Sequence, residues 1–552
     1  MSRQRLEIKG MTCEHCALSV EAVLEDAGAQ GVFVDYRRGF AEFEPEGVDL
    51  ERAREFIRSA GYEAGALEPI EGNGQPKRVE AVTSDDGGAD YDLAIIGAGA
   101  AAFAAAIQAV ERGARVAMIE HGTVGGTCVN IGCVPSKAML RAGELYNFAG
   151  RNPHRGAPTS TGRVELAELV AQKDELVERM RQEKYCDLID EYGWDLIKGH
   201  AEFADAETLL VDGEPLRARA YLVAAGARPA IPPIEGLEQA GYVTSTSGLE
   251  LKELPKRLLV IGGNYIGLEM GQLYAHLGSE VVLFEMLARI SPLEEPEVAE
   301  TLGEILESEG VQLVTGARVI RAGREGEQKT LTVVVDGEEQ LFRGDEILVA
   351  AGRRPNTDKL GLDRAGIELT ERGAIAIDDT LRTSNQRVFA AGDITPVPQF
   401  VYVAAAQGST AAVNALEDET QRLDYKALPR VTFTHPQVAA VGVTEEQARA
   451  QGLDVDVRTL PLEAVPRAAV NLDTRGFIKV VAEAESGRII GATAVAESAG
   501  DTILAAVYAV QFGLTVEDVS RTWAPYLTMS EGFKLAAQIF SRDVSKLSCC
   551  AA

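Results

Sequence analysis

The sequence predicts an α/β protein of several domains. Two observations carry that reading. A strand, glycine-rich turn, helix and strand beginning at Tyr91 return on the same plan about 165 residues later, and the first 68 residues hold the elements of a separate small module. At roughly 100–200 residues per domain, 552 residues suit three to five domains.

In chain order, Arg5–Lys9 reads as a strand, Ala17–Glu25 as a helix, and Val32–Tyr36 and Phe40–Phe43 as strands around a turn at Arg38-Gly39. Leu50–Ser59 reads as a second helix and Tyr62–Leu67 as a closing strand, giving βαββαβ over residues 1–68. Residues 69–89 have the Gly, Pro and Asp content of a flexible linker. YDLAIIGAGAAAFAAAIQAVERGARVAMIE from Tyr91 and KRLLVIGGNYIGLEMGQLYAHLGSEVVLFE from Lys256 are then two βαβ units, each expected on a parallel sheet of the Rossmann type. The expected boundaries are 90–247 and 376–428 for the first dinucleotide domain and 248–375 for the second. Residues 429–552 carry different strands (VTFTHPQVAAVGV, GFIKVVAE, RIIGATAVA) and form an α+β domain ending in a helix and a polar tail.

Composition narrows the function. The net charge is -30, with no basic patch or stripe of the kind a nucleic-acid binder shows. Gly 55 and Pro 21 exclude collagen-like and low-complexity chains. Arg outnumbers Lys 40 to 14, which suits either a salty cytoplasm or an ordinary acidic enzyme. Arg3 and Arg5 precede no apolar signal segment, and the apolar run Ala94 to Val110 is Gly/Ala-rich and interrupted by Gln108, so no membrane span is expected. The seven cysteines fall as Cys13/Cys16, Cys128/Cys133, Cys186 alone and Cys549/Cys550. That spacing suggests metal or redox chemistry in a reducing cytoplasm rather than a disulfide framework.

Gly97-Ala98-Gly99-Ala100-Ala101-Ala102 fits G-x-G-x-x-A directly after a strand. The glycines permit a tight turn and close approach of a pyrophosphate, Ala102 lets helix pack on strand, and the helix amides face the anion. Glu120, 23 residues after Gly97, is placed to bond a ribose hydroxyl. In the second unit Gly262 and Gly267 hold the first and third positions, but Asn264 holds the second and crowds the pyrophosphate approach. Glu285 favours a free ribose 2′-hydroxyl, as in NADH, while Arg289 is the nearest cation for the 2′-phosphate of NADPH, and the choice between them stays open. In GGTCVNIGCVPSK, Cys128 and Cys133 stand five apart at a glycine-rich helix start, where they can meet as a disulfide. The helix N-terminus and Lys137 favour the thiolate.

That segment resembles the redox motif of the flavoprotein disulfide reductases, and LVAAGARP (222–229), ILVAAGRRPNT (347–357), RTSNQRVFAAGDIT (382–395) and TFTHPQVAAVG (432–442) match further blocks of the family, over residues 90–552. The resemblance implies FAD in the first dinucleotide domain, with Asp393 on the ribityl chain and Gly126, Thr127 and Lys137 beside the cofactor. It implies NADPH or NADH in the second domain. Cys133 is then the thiol next to the flavin, Cys128 the one that exchanges with substrate, and Lys137 pairs with Glu269. Residues 429–552 become a dimerisation domain, and the protein a homodimer with active sites shared between subunits.

The C-terminal region departs from the disulfide-reducing members, which carry a His five residues before a Glu. Here Tyr526 stands five residues before Glu531. A phenol with an ordinary pKa near 10 is a poor proton shuttle at neutral pH, so reduction of an organic disulfide, as by a dihydrolipoamide dehydrogenase, is the lesser alternative. Cys549 and Cys550, adjacent near the chain end, suit a soft cation better than an internal disulfide. APYLTMSEG with a terminal Cys-Cys resembles the members of the family that reduce Hg(II), held in solution as thiol complexes. That resemblance carries Tyr526, Cys549 and Cys550 to the substrate site and suggests Tyr185 as a second phenol beside the metal. Cys186 has no matching role and reads as structural. Gly10-Met11-Thr12-Cys13-Glu14-His15-Cys16 places two thiols within reach of one two-coordinate ion, with His15 facing solvent. Zinc needs about four ligands. With its βαββαβ order, the motif makes the first module resemble the ferredoxin-like heavy-metal-associated domains.

Overall fold

A computed structural model describes residues 4–9, 20, 24, 27–35, 40–44, 50–59, 62–69, 89–417 and 420–543. The chain divides into two units, Met1–Ser84 and Asp85–Ala552.

In the first unit β1 (Gln4–Lys9), β2 (Gln30–Asp35), β3 (Phe40–Glu44) and β4 (Glu63–Pro69) form one antiparallel sheet in the order β2-β3-β1-β4. The helix Leu50–Ser59 falls where its apolar spacing predicts. Leu6, Ile8, Ala41 and Phe43 of the sheet close a core with Ala53 and Ile57 of that helix and with Val20 and Leu24. Most of the helix expected at Ala17–Glu25, the Cys13/Cys16 motif with His15, and residues 70–88 of the linker lie outside the described residues.

The second unit contains three larger sheets. β5 (Tyr91–Ile96), β6 (Val116–Glu120), β7 (Asp195–Lys198) and β8 (Ala218–Val223) lie with a strand at Val388–Ala390 in the order Val388–Ala390, β8, β5, β6, β7, all parallel. Helices cover such sheets on both faces, so their strands are apolar without alternation; Leu93–Ile96 are all buried. The helix Ala100–Glu111 is mostly alanine, the strongest helix former, and its small side chains let the helix Val401–Leu416 approach closely. A Cβ on Gly408 would lie 2.0 Å from the Ala101 carbonyl oxygen.

The second sheet repeats this plan with β9 (Val243–Thr244), β10 (Arg257–Ile261), β11 (Glu280–Phe284), β12 (Val311–Val314) and β13 (Glu346–Val349) in the parallel order β9-β13-β10-β11-β12. The third is antiparallel: β14 (Pro429–Thr432), β15 (Gln437–Gly442), β16 (Val455–Pro461), β17 (Phe477–Glu483) and β18 (Ile489–Ala496) run β14-β15-β18-β17-β16. The helices Ala499–Phe512 and Glu531–Gln538 pack on it through Ile503, Ala506, Phe533 and Ala536. The architecture is the predicted one, two Rossmann-like sheets followed by an α+β domain. Among the described residues, no helix is long and apolar enough to cross a membrane. Cys549 and Cys550 lie outside them.

Candidate active site

The first nucleotide turn follows directly from β5. Gly97 has φ +112, and a Cβ there would lie 2.5 Å from the Ala224 carbonyl oxygen, so only glycine fits. Gly99 faces the Cα of Gly126 across the turn, and a Cβ on Gly126, at φ +63, would come within 2.6 Å of the Gly99 Cα. The segment carrying the cysteines thus closes over the turn backbone to backbone, with the Gly125 amide donating to the Ala98 carbonyl at 2.8 Å. The helix Ala100–Glu111 has no side-chain cap at Gly99. Its first amides remain available to an anion, and the two glycine backbones leave no side chain in the way. Glu120 at the end of β6 accepts from the Ala98 amide at 2.9 Å and also from the Gly122 amide. Asp393 follows Gly392, whose missing side chain faces Ala101 and Ala404. Burial pushes its carboxyl up, and Arg353, 3.6 Å away, pulls it down. This donor set fits a dinucleotide: an uncapped helix end, a glycine cradle and two carboxylates beside it.

The redox segment departs in one respect from a single helix start. Cys128 lies in a short helix, Gly126–Ile131, and Cys133 begins a second, Cys133–Gly150, with the break at Gly132. A Cβ on Gly132 would lie 2.9 Å from the Thr127 carbonyl oxygen, and this close packing folds the two cysteines toward each other. The pair is present as two thiols. Cys128 donates to Cys133, which pushes Cys128 up and brings Cys133 down to about 7; burial opposes the lowering and the Lys137 ammonium assists it. Cys133 is therefore the more readily ionised thiol of the pair. Lys137, one turn on, lies 2.7 Å from Glu269 of the helix Tyr265–Leu277. The other Glu269 oxygen accepts from the Phe433 amide at 2.9 Å, and Lys137 sits 4.5 Å from the centre of the Phe433 ring. One ion pair thus joins the cysteine helix, the second nucleotide unit and the third sheet.

Tyr185 lies beside the pair. Burial raises its phenol, and the charges of Cys128 and Cys133 raise it further. Its ring meets Phe103 edge-on at 4.8 Å. Gln182–Cys186 is a π-helical turn between the helices Leu166–Arg181 and Asp187–Tyr192, a wide turn of the kind often found at functional sites. Cys186 ends that turn as a free, half-buried thiol. Phe433 and Tyr402, whose phenol is pushed up to about 12 by burial with a further contribution from Cys133, were not singled out by sequence reasoning. Phe433 lies within a quoted block but carries no reactive group, and no spacing rule connects Tyr402 to Cys133 across 269 residues.

In the second unit Gly262 has φ +115, and a Cβ on Gly267 would lie 1.8 Å from the Gly262 carbonyl oxygen. Asn264 caps the helix Tyr265–Leu277 by position only: it makes no side-chain cap bond, and its Oδ1 is buried without a hydrogen-bond partner. Glu285, at the end of β11, is buried and accepts from the amides of Gly263 and Leu287 at 2.7 and 2.8 Å.

The comparisons with known proteins agree on one family. The model of the pyridine nucleotide-disulphide oxidoreductases matches residues 91–408, and that of their dimerisation domain matches residues 428–537. Mercuric reductases from Staphylococcus aureus and Lysinibacillus sphaericus are each 50% identical to this chain, over 547 and 552 residues. They cover 99% and 100% of it, and the same shares of their own lengths are matched. The chain belongs to the mercuric reductase family. Among solved structures, the Cu(II) complex of the HOCl-induced flavoprotein disulfide reductase RclA from Escherichia coli is similar at a TM-score of 0.74 and 31% identity, covering 81% of this chain and 99% of that one. LpdA from Mycobacterium tuberculosis is similar at a TM-score of 0.75 and 28% identity, covering 82% and 100%.

For this family, the structure brings Cys128, Cys133, Lys137, Glu269 and Tyr185 into one neighbourhood. Tyr526 and Glu531 belong to the domain that matches the dimerisation model: Tyr526 is half exposed, and Glu531 is buried with Oε2 lacking a hydrogen-bond partner. That domain also presents Trp523, Phe512, Tyr508 and Leu504 to its surface.

Proposed function

We propose that the protein reduces Hg(II) to Hg(0) with NAD(P)H through FAD and the Cys128/Cys133 pair, detoxifying mercury in the cytoplasm as a homodimer. The balance is Hg(II) + NAD(P)H → Hg(0) + NAD(P)+ + H+. One observation carries the reading: Cys128 and Cys133 lie side by side at the break between two helices, with Lys137 one turn on and Tyr185 beside them. Two sulfur ligands match the low coordination number of a soft cation. FAD, when bound, relays two electrons between nicotinamide and the cysteine pair. Gly97, Gly99, Ala102, Gly126 and Thr127 form its cradle, with Glu120 and Asp393 as hydrogen-bond acceptors for its hydroxyls. Gly262, Gly267 and Glu285 serve the nicotinamide nucleotide. Lys137, fixed by Glu269, keeps Cys133 ionised. Cys128 exchanges with incoming thiol-bound metal, and Tyr185 closes over the sulfur pair. From the partner subunit, this reading brings the tail cysteines, Tyr526 and Glu531 to the same site. Cys549 and Cys550 strip Hg(II) from competing thiols stepwise, and Cys13 and Cys16 of a heavy-metal-associated module raise its local concentration.

The deciding experiment is anaerobic. Purified holoenzyme is given Hg(II), excess thiol and NAD(P)H, and both nucleotide oxidation and volatile mercury are followed. Volatilised mercury in step with oxidation is expected. Lipoamide or glutathione disulfide reduced at a higher rate, without volatile mercury, would replace this reading with the disulfide reductase. Replacing Cys549 and Cys550 together with Ala should sharply lower turnover of thiol-bound Hg(II) and leave flavin reduction by nucleotide unchanged.

A further inference from the structure

The second nucleotide unit has a selective edge. We propose that the protein takes its hydride from NADH in preference to NADPH and that Glu285 sets the choice; this rests on assigning the nicotinamide nucleotide to the second unit. The ribose of a dinucleotide lies at the end of the second strand of such a unit, where a carboxylate receives its 2′-hydroxyl. Glu285 stands there, 23 residues after Gly262. The Gly263 and Leu287 amides hold its two oxygens at 2.7 and 2.8 Å, so the carboxylate cannot swing aside. A ribose hydroxyl can still donate to a remaining lone pair. A 2′-phosphate brings about one and a half to two negative charges against a fixed, buried negative charge.

Nothing on the following segment compensates. Met286 and Leu287 are large, apolar and exposed. Arg289 is the one cation between Glu285 and Glu300, a stretch that also carries Glu294, Glu295 and Glu297. Its guanidinium is turned to the carbonyls of Pro292 and Glu294, at 3.2 and 3.5 Å, and lies 3.8 Å from Glu446. The other cation on this rim, Arg318, is exposed and follows Ala317, whose amide donates to the Glu285 main-chain carbonyl. Glu285 is salt-bridged to no cation among the described residues. The first nucleotide turn supplies an internal reference. Glu120 is held in the same way by the Ala98 and Gly122 amides, at the end where the proposed FAD presents an unphosphorylated ribose.

The test uses the holoenzyme and two readouts. Isothermal titration with 5′-AMP and with 2′,5′-ADP measures the effect of the 2′-phosphate on binding, without mercury or turnover. Initial rates with NADH and NADPH, in the presence of Hg(II) and excess thiol, measure it in catalysis. The expected result is that 5′-AMP binds more tightly than 2′,5′-ADP and that kcat/KM for NADH exceeds that for NADPH at least tenfold. Glu285→Gln should narrow the ratio several-fold, mainly by lowering KM for NADPH. Tighter binding of 2′,5′-ADP, or an equal or higher kcat/KM with NADPH, overturns the proposal on the wild-type protein alone, even if the variant fails to fold. If neither nucleotide drives mercury release while the AMP fragments still discriminate, the function is misread and the nucleotide selectivity stands.

Discussion

At Gly97 and at Gly262 the chain makes the same turn. The φ angles are +112 and +115, the amides donate to Ile119 and Phe284 at 2.8 Å, and the carbonyl oxygens of Ala224 and Ala350 occupy the space a side chain would need. Each turn leads to a carboxylate, Glu120 or Glu285, pinned by two backbone amides. What closes over each turn differs. Over the first, the Gly125 amide donates to Ala98 and brings in the segment that carries Cys128 and Cys133. Over the second, the Ser291 amide donates to Gly263 and brings in an acidic segment whose Glu294 and Glu295 are buried against Arg430 and Lys479 of the third sheet. One turn therefore gains the cysteine pair and the other gains anchorage.

The largest effect should come from Gly97→Ala. A methyl 2.5 Å from Ala224 O, at a φ that L-residues avoid, displaces the first turn, so the purified variant should have lost most of its flavin absorbance per chain. Gly267→Ala asks the same of the second turn, where the methyl would meet Gly262 O at 1.8 Å. Here flavin should be retained while anaerobic stopped-flow reduction by NAD(P)H slows about tenfold or more, equivalent to about 1.4 kcal/mol of barrier. Ala102→Gly, the reverse change at the matching position of the first unit, should cost only about 0.5–1 kcal/mol of stability. If Gly267→Ala loses flavin and keeps fast reduction, the two units have been assigned the wrong way round.

The Lys137–Glu269 ion pair, between the two nucleotide-binding βαβ segments, offers a finer probe. The hydrogen bond from Cys128 lowers the Cys133 pKa most and the Lys137 ammonium lowers it further, so Lys137→Met should raise the Cys133 titration above about 7. Thiolate absorbance in the ultraviolet, followed against pH, measures this directly. The variant should hold less thiolate at pH 7, and a titration that does not move would remove Lys137 from the account. Asn264→Gly should have the smallest effect. It gives the second turn the residue of the first and removes a buried oxygen without a partner, in a cap position that makes no cap bond. Thermal stability should change by less than about 1 kcal/mol, and KM for the nucleotide should fall a few-fold.

Both turns were legible in the sequence because their causes are local: a glycine after an apolar run, and an acid 23 residues on. The third sheet was partly legible: the segments VTFTHPQVAAVGV, GFIKVVAE and RIIGATAVA hold half of β14 and all of β15, β17 and β18, whereas β16 was not read at all. The geometry around the cysteines was less so. Glu269 came to Lys137 through resemblance, since 132 residues separate them. The amide of Phe433 on Glu269 and the bond from Gln272 to the His435 carbonyl depend on how two domains meet, for which sequence spacing has no rule. The break at Gly132 was also missed, because a glycine inside a helical stretch does not announce how closely Thr127 will pack on it.

The π-helical turn at Gln182–Cys186 bears on how this site can evolve. In an α-helix each residue advances the direction of its side chain by about 100°, and a wide turn shifts the phase of whatever lies beyond it. Tyr185 lies beside the cysteine pair on a rod, from Leu166 to Tyr192, that contains that one loosened turn. Deleting a single residue there would let the rod close into regular α-helix and carry the phenol around its axis, with neither cysteine changed. The phenol's place is thus set by a length as well as by a residue type. Substitution can alter it in place, whereas an insertion or deletion can take it away from the cysteine pair or bring it back in a single step.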